Sequence, residues 1–155
     1  MPPSAPKIPR ENAKPTKEAP YSLKWRAAHR GKINALTGFC LMHNVEANVG
    51  AILRTLLDRT PEKSAKFVEQ VSQEIASAEP APLQFPVILG PLRRKLNHLL
   101  GFCLMNNVEA DAGAIFRTII DHTPEKSEEL IQAVKLRLEQ ERAETREKRK
   151  RPSKP

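Results

Sequence analysis

Apolar residues recur at spacings of three and four through most of this chain, and that period predicts helices. The clearest stretch is Val45, Val49, Ile52, Leu53, Leu56 and Leu57, one wide face of a single helix. A preceding helix carries a stripe of His29, Ile33, Leu36 and Cys40, which Phe39 and Leu41 widen. A following one buries Phe67, Val68, Val71 and Ile75. Strand-like alternation is absent, so the expected class is all-α.

The same three-helix pattern then appears again. Residues 38–64, GFCLMHNVEANVGAILRTLLDRTPEKS, return at 101–127 as GFCLMNNVEADAGAIFRTIIDHTPEKS, 63 positions later and with 20 of 27 residues identical. The stripes correspond as well: Leu92, Leu96, Leu99 and Cys103 with Phe102 and Leu104; Val108, Ala112, Ile115, Phe116, Ile119 and Ile120; and Leu130, Ile131, Val134 and Leu138. Substitutions within the stripes are almost all apolar for apolar, which points to a tandem duplication of one fold. Asn44 and Asn107 are placed to cap the second helix of each unit, with Glu46 and Glu109 in its first turn. Thr60 followed by Pro61, and Thr123 followed by Pro124, are placed to open the third. A three-helix unit of this size buries too little surface alone. The expectation is one domain of about six helices, or a homodimer of such chains.

Proline marks the boundaries. Residues 1–20 hold six of the 14 prolines without apolar periodicity and are expected to be a disordered basic tail. Unit 1 spans 21–78, a proline-rich linker 79–91, unit 2 92–141 and a basic tail 142–155. The third helix is expected to continue into LRLEQERAETREKRKR.

The formal charge of +8 changes this picture by its placement. Residues 1–20 and 137–155 carry most of the excess, and the final run Lys148, Arg149, Lys150 and Arg151 resembles a nuclear-import signal. Within the units, basic residues gather at the start of the first helix: Lys24, Arg26, Arg30 and Lys32 in one, Arg93, Arg94 and Lys95 in the other. No apolar run is long enough to span a membrane and no secretory leader is visible, so an intracellular location is expected, with the nucleus as the candidate compartment. Cys40 and Cys103 sit on apolar stripes and read as buried reduced thiols.

Catalytic chemistry finds no support. None of the four histidines is repeated, since His29, His43, His98 and His122 align with Leu92, Asn106, Ala35 and Arg59. Cys40 with His43 resembles half a metal site, but structural zinc needs four such ligands and no second cluster exists in the sequence. No phosphate loop or nucleophile motif appears, so no enzyme activity, metal or cofactor is expected.

Binding chemistry is better represented. Ala47, Gly50, Ala51 and Arg54, repeated as Ala110, Gly113, Ala114 and Arg117, form a small-residue strip ending in a guanidinium. Arg54 with Asp58, and Arg117 with Asp121, have the spacing of surface ion pairs worth a few tenths of a kcal/mol. The strip would otherwise admit a partner helix or a nucleic-acid backbone. Aromatic residues are few, which disfavours base stacking and favours backbone contacts to a duplex. Trp25 is expected to cap the core. The function expected is therefore a non-enzymatic basic protein that sequesters or coats a duplex, RNA slightly ahead of DNA. Its contacts would be Arg30, Lys32, Arg54, Arg93, Arg94, Lys95, Arg117 and the basic run 148–151. The alternative is a helical protein-interaction or self-assembly module with tethering tails.

Overall fold

Residues 21–25, YSLKW, alternate apolar and polar side chains, and they form a strand, β1 (Tyr21–Trp25). The structure, a computed structural model, describes residues 19–77 and 79–150. β1 pairs antiparallel with β2 (Leu83–Val87), inside the segment expected to be linker. Ser22 faces Pro86 and Leu23 faces Phe85, so the register is symmetric under the 63-residue offset, which relates 22 to 85 and 23 to 86. Leu23 and Trp25 are buried, and Trp25 stacks on Phe85 at 5.4 Å between ring centroids. The mostly helical class therefore carries a two-stranded ribbon that the helical periodicity did not announce. Each strand has only five residues and its partner lies about 60 residues away, so a local search for alternation has little to find. Pro86, which cannot donate to a ladder, weakened the signal further.

Among the described residues, six helices follow the expected stripes. α1 (Ala27–Met42) buries His29, Ile33, Leu36 and Cys40; α4 (Arg93–Met105), entered through a 3-10 turn at Gly90–Leu92, buries Leu96, Leu99 and Cys103. α2 (Val49–Arg59) and α5 (Ala112–Asp121) bury the widest faces, Ile52, Leu53, Leu56 and Leu57 against Ile115, Phe116, Ile119 and Ile120. α3 (Ala65–Ala76) and α6 (Glu128–Lys150) complete the set, and α6 does extend the third helix into the charged segment.

The caps differ from expectation in an instructive way. Asn44 and Asn107 both have φ 63°, the left-handed conformation that asparagine tolerates better than most residues. They end α1 and α4: Asn44 N–H donates to the Leu41 carbonyl and Val45 N–H to Cys40, with Asn107 and Val108 doing the same to Leu104 and Cys103. The residues that open α2 and α5 are Asn48 and Asp111, whose side chains accept from Ala51 N at 2.7 Å and Ala114 N at 2.8 Å. Ser64 and Ser127 cap α3 and α6, not Thr60 and Thr123, whose hydroxyls donate back to the Leu56 and Ile119 carbonyls. Leu41, Leu104 and Ile75, expected in the core, are 59%, 60% and 42% exposed.

Packing crosses between the halves of the chain. α3 lies on α5 and α2 lies on α6, while α2 and α5 touch each other at the centre. One continuous apolar cluster joins both sets of helices and the ribbon. Side chains such as Phe116, Ile52, Leu57 and Leu99 are fully enclosed there, each contributing about 1.5–3 kcal/mol. Each half thus supplies the other's missing wall within a single chain.

Candidate nucleic-acid interface

Arg54 and Arg117 occupy matching places, but not on an open surface. Arg54 donates from Nε and Nη2 to Glu141 Oε2 and Oε1 at 2.7 and 2.8 Å, and from Nη1 to the Ile88 carbonyl at 2.9 Å. Arg117 donates from Nε to Glu74 Oε2 and from Nη1 to the Lys24 carbonyl, both at 2.6 Å. Each arginine fastens the helix that carries it to the ribbon's end and to a helix from the other half. The glycines of the strip make room for this: a Cβ on Gly50 or Gly113 would lie 3.0 Å from Nη1 of the neighbouring arginine. The expected pairs of Arg54 with Asp58 and Arg117 with Asp121 do not form. Asp58 instead accepts from Arg137 at 2.9 Å, and Asp121 lies beside His29.

Glu74 is a tightly held carboxylate. Its side chain is 7% exposed and Oε2 accepts from both Arg117 and Arg26 at 2.6 Å. Burial pushes its carboxyl pKa up, but the hydrogen bonds from Arg117 and Arg26 and their charges outweigh that and hold it below the ordinary carboxylate value. Arg26 also reaches Glu79 at 3.3 Å.

The remaining sequence-selected cations divide in two. Lys32 Nζ donates to the Asp121 carbonyl at 3.1 Å and Lys95 Nζ to the Asp58 carbonyl at 2.7 Å, placing a charge on the C-terminal ends of α5 and α2 where the helix dipole favours it. Arg30 and Arg94 are exposed, and Arg93 opens α4. Arg30 lines a hollow with Gln84 and Phe85 of β2, which brings it beside the ribbon. Lys148, Arg149 and Lys150 extend α6, and Arg151 lies outside the described residues, as do residues 1–18 of the basic N-terminal tail.

The ribbon supplies the polar surface that the sequence reading missed. Ser22, Lys24, Gln84 and Pro86 alternate with buried or half-buried positions and are exposed; Ser22 Oγ reaches Gln84 Oε1 across the strands at 3.4 Å. The polar positions within YSLKW were the available signal. Beside β1, Glu79, Glu109 and Asp111 share a hollow with Lys24 and Arg26, so the face as a whole has mixed charge.

One side-chain cluster invites a metal reading. Ligand atoms of His29, Glu74 and Asp121 lie within 4.8 Å of one another, and His29 is 2% exposed with Nε2 3.0 Å from Asp121 Oδ1. The tautomer argues against a cation. The Arg26 backbone N–H donates to His29 Nδ1 at 3.2 Å, which places the neutral ring's proton on Nε2 and leaves no lone pair there for a metal. The two guanidiniums on Glu74 oppose a cation further. His43 is exposed and packs edge-on against Phe39 at 4.5 Å, and burial raises the pKa of Cys40 and Cys103 above the usual thiol value.

No described helix is long and apolar enough to cross a membrane. Compared with protein families, with curated proteins and with solved structures, the chain matches none of them.

Proposed function

We propose that this protein is a non-enzymatic duplex-binding protein that lays its two-stranded ribbon in a nucleic-acid groove. The observation that carries this reading is the ribbon itself: symmetric in register, polar on its outer face and basic at Lys24. A B-form major groove, about 12 Å wide, admits a two-stranded ribbon, and ribbons are one of the known ways of reading it. Ser22 and Lys24 from one half and Gln84 and Pro86 from the other would then face the groove together, one strand from each half. Arg30, Arg93 and Arg94 would take phosphates, with the basic ends of the chain adding attraction that is independent of sequence. Arg54 and Arg117 act indirectly in this reading, by holding the ribbon on its helices.

Geometry also changes the preferred nucleic acid. Composition alone left RNA slightly ahead, but the A-form major groove is deep and narrow and closed to a ribbon, so B-form DNA is the better fit. An intracellular, nuclear location accords with such a partner and with the terminal basic run.

The test is a binding titration of the full chain against DNA and RNA duplexes of one sequence at two salt concentrations. Tighter binding to DNA, falling steeply as salt rises, is expected. Absence of binding at low salt, or a preference for the RNA duplex, would overturn the proposal. A protein-interaction role is favoured by a different observation, four exposed apolar side chains at the ends of α1 and α4.

A further inference from the structure

We propose that the C-terminal ends of α1 and α4 are self-association surfaces through which copies of this chain join patch to patch into open-ended assemblies. The inference is independent of nucleic-acid binding.

Leu41 and Met42 at the end of α1 are 59% and 78% exposed; Leu104 and Met105 at the end of α4 are 60% and 81% exposed. Single exposed apolar residues are ordinary, but here two adjacent large ones protrude at each of two corresponding places. Their setting is shared too. Gly38 and Gly101 stand one turn earlier, with open space where a side chain would be, so nothing among the described residues requires glycine there. Both glycines weaken their helices, and both flatten the surface beside the methionines so that another backbone can approach. At α4, Gly101, Phe102 and Met105 line an apolar hollow of about 560 Å³ whose rim carries Glu62 and Lys63.

That rim identifies the occupant as a second copy. Glu62 and Lys63 are adjacent and opposite in charge, and the 63-residue offset carries them to Glu125 and Lys126. When two surfaces bearing such a doublet meet about a two-fold axis, each glutamate faces a lysine, so the surface is complementary to itself in charge as well as in apolar character. Because one chain exposes a Leu–Met pair on α1 and another on α4, association does not stop at a dimer. Each added copy brings a fresh patch, and growth is open.

The experiment is light scattering on the full chain, free of nucleic acid, across a wide range of protein concentration. The parent is expected to gain mass continuously with concentration. Met42→Glu and Met105→Glu each leave one patch, so each variant should stop at twice the monomer mass, and the double variant should remain a monomer. Circular dichroism matching the parent shows that these exposed substitutions leave the fold intact, and Met42→Gln with Met105→Gln gives the same order of effects should a glutamate unfold the chain. A parent that stays monomeric overturns the proposal and hands the patches to another protein. Single variants that grow as large as the parent overturn it as well.

Discussion

Arg117 on α5 and Glu74 on α3 meet at 2.6 Å across the two halves of the chain, Nε to Oε2, in a site where the carboxylate is 7% exposed. Arg54 and Glu141 repeat the relationship at 2.7 Å in the other direction, with the carboxylate 28% exposed. These two contacts tie each half's second helix to the other half's third, and their unequal burial makes them unequal in energy.

Removing the buried acid leaves two guanidiniums without their shared partner, whereas removing the more open one is relieved by water. Glu74→Ala should therefore lower unfolding free energy by about 3 kcal/mol and Glu141→Ala by about 1 kcal/mol. Urea denaturation of the two variants measures both, and equal losses would show that burial does not set the difference.

Glu74 also predicts a pH dependence. Its folded-state pKa is lower than the ordinary value of 4.5, so the unfolded chain binds the proton more readily. The stabilisation is fully present above the ordinary value and is lost as pH falls through the lowered folded value. Denaturation midpoints of Glu74→Gln and the parent should accordingly draw together as pH falls below about 4.5, and a gap that stays constant down to pH 2 would contradict the assignment.

The glycines divide by what surrounds them. Gly38 and Gly101 have open space, so alanine at either should stabilise its helix by about 0.5–1 kcal/mol. At Gly50 and Gly113 a Cβ would lie 3.0 Å from an arginine Nη1 that is already held by the carbonyl of Ile88 or of Lys24. Alanine there should destabilise by about 1–2 kcal/mol despite its better helix propensity. Thermal melts of the four variants would display opposite signs for the two pairs; four shifts of one sign would contradict the packing described.

Cys40 and Cys103 are 2% and 1% exposed, and burial raises both thiol pKa values. A thiol reagent at neutral pH should label neither residue in the folded protein and both in urea. Labelling at the same rate in both conditions would place the thiols at the surface.

The helices were legible because their buried faces recur within a few residues of one another: His29, Ile33, Leu36 and Cys40 are a local pattern, and the structure buries all four. The partners of the arginines were not legible, and the repeat concealed them. Glu74 corresponds in sequence to Arg137, and Glu141 to position 78, four residues after Glu74 in the sequence, so neither acid is repeated in register. Aligning the halves therefore highlights Arg54 and Arg117 while passing over what they bind. The local i to i+4 acids, Asp58 and Asp121, were the natural choice from spacing alone, yet the fold gives both to other partners. Identity between the halves was ambiguous for a further reason. Leu41 and Leu104 are as well kept as the core residues beside them, but they face outward, because sequence identity records that a residue is needed and not which side of it is used.

The most direct measurement of the central claim places negative charge on the ribbon's outer face. Ser22→Glu with Gln84→Glu, both at exposed positions, should leave the circular dichroism spectrum unchanged and weaken duplex DNA binding at moderate salt by at least about tenfold, through like-charge repulsion of phosphates. Undiminished binding by the doubly substituted chain would take the ribbon out of the interface and contradict the account.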